Sequence, residues 1–106
     1  MAGSVATVTD ADFQQFTTQS GVVLIDFWAP WCGPCRRVGP VVEQLSTEMP
    51  AVRFGKLNTD ENQMTAARNG IMSIPTLMIY KDGQKVDQIV GAVPKEMLVA
   101  ALKRHA

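Results

Sequence analysis

Residues 22–29 read VVLIDFWA, an apolar run broken only by Asp26. A strand with one solvated face alternates apolar and polar side chains, so a run of this kind belongs to a strand covered on both faces. Such a strand needs a sheet around it and helices above and below, and the flanking sequence supplies both. Val5 to Val8 is a short β-prone run. TDADFQQFTT (9–18) then offers Asp10 as an N-cap and sets Phe13 and Phe16 on one helix face, with Gly21 closing the unit. Beyond the apolar run, Val38, Val41, Val42 and Leu45 recur at helical spacing as far as Met49, where Pro50 stops the helix. VRFGKLN (52–58) predicts a further buried strand. Asp60 caps the helix expected after it, which runs to about Asn69 and ends at Gly70. PTLMIYK (75–81) and KVDQIVG (85–91) flank Asp82-Gly83, a hairpin signal. Val93-Pro94 opens a last helix that turns Met97, Leu98, Ala101 and Leu102 to the core.

The element order is therefore β-α-β-α-β-α-β-β-α, an α/β fold with a central mixed sheet and helices on both faces. Right-handed crossovers make the early strands parallel, and the late hairpin adds antiparallel strands at one edge. With 106 residues and no linker, repeat or low-complexity tract, a single domain over 1–106 is expected.

The central strand leads straight into WAPWCGPCRRVGP (28–40), which holds the only two cysteines of the chain. Ten basic residues balance ten acidic ones, which removes the net field that draws nucleic acid or an anionic membrane. No apolar stretch reaches the roughly 18 residues of a spanning helix. The first residues lack a secretory signal, so a cytoplasmic protein is expected. In a reducing compartment a CxxC pair points to redox chemistry or a metal. Zinc needs three or four protein ligands, and beyond the cysteines this chain offers His105 alone, beside its last residue, so no metal is expected. A crosslink across so short a loop stabilises little. Thiol–disulfide exchange is what is left.

Proline is tolerated in a first helical turn, so Gly33 and Pro34 read as the entry to a helix with Cys32 at its N-terminus. Free N–H groups and the positive end of the macrodipole favour a thiolate there, below the usual ~8.5 of a cysteine. Exposure and helix position together single out Cys32 as the attacking thiol. Cys35, one turn inside and shielded, breaks the mixed disulfide that results.

The chain resembles the thioredoxin family. WCGPC (31–35), its extension FWAPWCGPC (27–35), Asp26, SIPT (73–76), DG (82–83) and VGA (90–92) carry the resemblance in order along almost the whole sequence. It implies a general protein disulfide reductase that binds no cofactor directly. Electrons would come from NADPH through a flavin-containing thioredoxin reductase. Substrates of the ribonucleotide reductase, peroxiredoxin and methionine sulfoxide reductase types, and a monomeric state, are implied as well. Oxidases and isomerases share the fold, but Gly-Pro between the cysteines is the reductase type. A non-catalytic clamp built on the same apolar rim is the rival from a different class.

The resemblance also assigns residues. Asp26 would be a buried proton carrier of raised pKa serving Cys35, with Lys56 as its partner; a structural acid satisfied by a hydroxyl, water or Lys56 is the plainer alternative. Pro75 would be cis and face the cysteines, leaving the Ile74 backbone to pair with an extended substrate segment. Trp31, Gly33, Pro34, Ile74, Val90, Gly91 and Ala92 would form the substrate-binding rim. Trp28 is expected in the core with an edge on the cysteines, and Pro40 to kink its helix. The methionines read as core filler, apart from Met72, where many members of the family carry a basic residue.

Overall fold

The computed structural model describes residues 4–106. Its elements follow the expected order: β1 (Val5–Thr7), α1 (Phe13–Thr17), β2 (Val22–Trp28), α2 (Gly33–Glu48), β3 (Arg53–Asn58), α3 (Gln63–Arg68), β4 (Thr76–Lys81), β5 (Gln84–Val90) and α4 (Lys95–Arg104). The five strands form one mixed sheet in the order β1-β3-β2-β4-β5, which puts β2 at the centre. β3 runs parallel to β1 and β2, whereas on the other side β4 pairs antiparallel with β2, and β5 antiparallel with β4.

The two-residue repeat of the strand sorts β2 into two cores. Val22 and Leu24 face Val38, Val42 and Leu45 of α2 and Leu98, Ala101 and Leu102 of α4. Val23, Ile25 and Phe27 face the opposite way, among Val8, Leu57, Met78 and Tyr80, with Phe13 and Phe16 of α1 packed on them. This accounts for apolar residues on both faces of the strand. The β4–β5 turn has Asp82 at φ 51° and Gly83 at φ 88°, and two left-handed residues suit the twist of a tight hairpin.

Helix capping departs from expectation. α1 is preceded by Asp12, whose side chain accepts from the Thr9 N–H at 2.6 Å, and not by Asp10. The Asp10 carboxylate instead accepts from the Thr65 N–H at 2.8 Å and so satisfies the first turn of α3 from a distant loop. Asn62, not Asp60, precedes α3, and its side chain accepts from the Asp10 N–H. The two loops are thus tied together by a reciprocal pair of side-chain-to-backbone bonds. Met97 is also exposed, because the buried stripe of α4 starts at Leu98 and continues at i+3 and i+4. Met64 is exposed as well, so only some of the methionines fill the core.

Gly55 marks a close approach of β3 to its neighbours. A Cβ there would lie 2.7 Å from Val8 Cγ2, 2.9 Å from Phe16 Cε2 and 3.1 Å from Ile25 Cδ1. Gly55→Ala should therefore lower stability by roughly 1–3 kcal/mol, as overpacked cores do. Denaturant unfolding measures it, and an unchanged midpoint would mean that α1 shifts freely.

Candidate active site

β2 ends at Trp28 and the chain turns through Ala29, Pro30 and Trp31. Cys32 is then the N-cap of α2 in an extended conformation (φ −86°, ψ 111°), with Pro34 in the first turn. The Cys32 Sγ accepts from the Cys35 N–H at 3.2 Å, so sulfur takes the place of the usual capping oxygen. Donors and dipole both favour negative charge on it. Cys32 and Cys35 form a disulfide, their Cα atoms 5.3 Å apart.

Exposure does not separate the two cysteines: Cys32 is 3% and Cys35 5% accessible. Ala29, Trp28 and Ile74 pack around the pair and cover Cys32, contrary to expectation. What distinguishes them is their surroundings. The Cys32 Sγ lies 3.7 Å from the Ile74 carbonyl oxygen, whereas Cys35 lines a cleft on the far side of the pair.

That cleft, of about 320 Å³, runs beneath α2 and is bounded by Asp26, Trp28, Cys35, Arg36, Glu43 and Lys56, among others. Strand periodicity puts Asp26 there: it shares a face with Val22 and Leu24, below the helix that carries Cys35. Lys56 is its register partner on β3. Asp26 is almost fully buried, and its Oδ1 has no hydrogen-bond partner among the described residues. Desolvation therefore pushes its pKa up to about 7, against a smaller opposite pull from Lys56. Sequence reasoning missed Glu43 and Arg36. Their seven-residue spacing on α2 puts them on one helix face, which was the available signal.

On the other side of the disulfide the Ile74–Pro75 bond is cis, as the resemblance implied. The Gly91 N–H donates to the Pro75 carbonyl at 2.8 Å and ties the 90–92 segment to it. Trp31 is 68% exposed, its Nε1 donating to Asp60. Gly33, Pro34, Val90 and Ala92 are exposed, and Ile74 and Gly91 half-buried. Met72 is 94% exposed beside Trp31 and Ile74. Trp31, Met72 and Ile74 thus share one surface patch, and the 90–92 segment is tied to Pro75. Among the described residues no group of three or more His, Cys, Asp or Glu is placed to hold a metal. No described helix is long and apolar enough to cross a membrane.

Comparison with known proteins agrees with this geometry. The thioredoxin family pattern matches residues 4–104. Thioredoxin 1 of Synechococcus elongatus is 56% identical over 102 residues, covering 94% of this chain and 95% of that protein. The X-ray structure of Fasciola hepatica thioredoxin superposes with a TM-score of 0.89 at 35% identity, covering 96% of this chain and all of that one. A solved chain from work on the thiol resolving mechanism in yeast mitochondrial 1-Cys peroxiredoxin via glutathione/thioredoxin systems gives 0.88 at 32%, with 95% of each chain covered.

Proposed function

The chain belongs to the thioredoxin family and is a thiol–disulfide oxidoreductase, and from that premise we propose how its residues divide the reaction. The Cys32 thiolate attacks one sulfur of a protein disulfide. A Cys32–target bond forms, the target's own S–S bond breaks, and its other sulfur leaves as a thiolate. Asp26 takes the proton of Cys35 through the shared cleft, with Lys56 balancing the charge. The Cys35 thiolate then attacks the Cys32 Sγ, releasing the second target sulfur and closing the Cys32–Cys35 disulfide. Two thiols are gained by the target for one disulfide made here.

The observation that best supports this assignment is the Cys35 N–H on the Cys32 Sγ. It stabilises negative charge on the attacking sulfur and does nothing for Cys35. Trp31, Gly33, Pro34, Ile74, Val90, Gly91 and Ala92 hold the target segment. The Ile74 backbone pairs with it as one added strand would. The thiols are restored by a thioredoxin reductase that passes electrons from NADPH through its flavin. Protein disulfides of the ribonucleotide reductase, peroxiredoxin and methionine sulfoxide reductase types are the substrates, met by a cytoplasmic monomer.

In the reduced protein Cys32 should alkylate much faster than Cys35 near neutral pH, because the helix cap lowers its pKa alone. Iodoacetamide labelling followed by peptide mapping reads the two rates. Equal labelling would overturn the division of roles. Cys32→Ser should abolish reduction of a model protein disulfide, and retained turnover would overturn the proposal.

A further inference from the structure

Glu43 is a half-buried acid lining the cleft for which disulfide exchange has no use. Its Oε2 is fully buried without a hydrogen-bond partner among the described residues, and so is the Asp26 Oδ1. Two carboxylates lining one cleft, each with a donorless buried oxygen, make a costly arrangement unless a cation or a nearby donor, such as the unpartnered Trp28 Nε1–H of the same lining, serves them. The charged groups that face this space are Asp26 from β2, Lys56 from β3, and Arg36 and Glu43 from α2; Val5 of β1 brings none. Arg36 is engaged elsewhere, its Nη2 donating to the Pro30 carbonyl at 3.0 Å. The ion pairs among the described residues join Lys95 to Glu48, and Arg104 and His105 to Asp87. Neither cleft carboxylate therefore holds Lys56 in a contact pair. A lysine ammonium on its flexible stem can turn to either one.

We propose that Glu43 is a positioning residue for the exchange reaction: its carboxylate competes with Asp26 for the Lys56 ammonium and so keeps Asp26 able to take and return a proton. This rests on the role assigned to Asp26 above. An ammonium held fully by Asp26 would fix that group as a carboxylate and make it a weak base. With Glu43 sharing the cation, Asp26 stays poised near neutrality. Removing the Glu43 charge lets Lys56 turn to Asp26, and that favours ionised Asp26.

Glu43→Gln keeps the side-chain shape and removes the charge; Glu43→Ala serves the same purpose should the amide disturb packing. Following the Asp26 carboxyl carbon by NMR against pH should show its midpoint falling by about half a pH unit. The acid limb of the pH profile for target release should move down with it. Lys56→Met should raise the midpoint, and adding Glu43→Gln to that variant should then move it much less than in the wild type. An Asp26 midpoint unmoved by Glu43→Gln would overturn the proposal, and so would an equal displacement with and without Lys56. The titration needs no turnover. If Asp26 proves dispensable for catalysis, the coupling among the three groups is still read, so the two failures are distinguishable.

Discussion

Cys35→Ser should stop turnover on protein disulfides and leave the chain covalently joined to its target. The variant keeps the N-cap position of Cys32 and the backbone N–H at residue 35 that the Cys32 Sγ accepts from, because that donor belongs to the main chain. The first exchange therefore proceeds. The second cannot, because a serine hydroxyl is not a thiolate and forms no disulfide with the Cys32 sulfur. The mixed disulfide persists until an outside thiol removes it. Mixing the variant with a disulfide-containing protein and separating without reductant should give a 1:1 adduct, mapped to Cys32 and dispersed by dithiothreitol. Cys32→Ser should give no such adduct, since Cys35 lacks the N-terminal donor and faces the inner cleft. Sustained turnover by Cys35→Ser, or an equally abundant adduct on Cys35, would contradict the assignment. A clamp that binds without chemistry would keep its partner in both variants and form no covalent adduct.

What the sequence made legible was whatever depends on local pattern. The run through Val22–Trp28 announces a strand buried on both sides, and the same two-residue repeat puts Asp26 on the face that α2 covers. The helix start at Gly33-Pro34 follows from backbone chemistry alone, and with it the cap by Cys32. Features set by contacts between distant segments were not legible. Asp10 looks like a cap for the helix that follows it, yet the fold carries it to Thr65 of α3. Cys32 at a helix N-terminus looks exposed, but Ile74 arrives from the loop before β4 and covers it. Glu43 has the look of an ordinary polar residue on an amphipathic helix. Only the placement of β2 and β3 beneath α2 reveals that it borders the same cleft as Asp26 and Lys56.

Asp26→Asn should make the protein more stable in alkaline solution and a slower catalyst at once. Burial holds the folded-state pKa at about 7 against an ordinary value of 3.8, with desolvation outweighing the pull of Lys56. The raised pKa sets the direction of the pH dependence. Below pH 3.8 folded and unfolded chains both carry the proton, so the group costs nothing. Between the two values the unfolded chain ionises while the folded one does not, and stability falls as pH rises. Above about 7 both are ionised and the penalty is constant. At ~1.4 kcal/mol for each pH unit between the two values, it reaches on the order of 4 kcal/mol. Asparagine cannot ionise and keeps only the cost of a buried amide, ~1–3 kcal/mol. That cost does not vary with pH, so the decisive quantity is how the gap between variant and wild type changes. Denaturant unfolding should show the gap growing in favour of Asp26→Asn by about 2–3 kcal/mol between pH 5 and pH 8.5. Loss of the proton acceptor should meanwhile slow the attack by Cys35, since a thiol is a poor nucleophile beside its thiolate. A gap that stays level across that range would show Asp26 to be ionised and compensated in the fold, and unchanged turnover would show that another base serves Cys35.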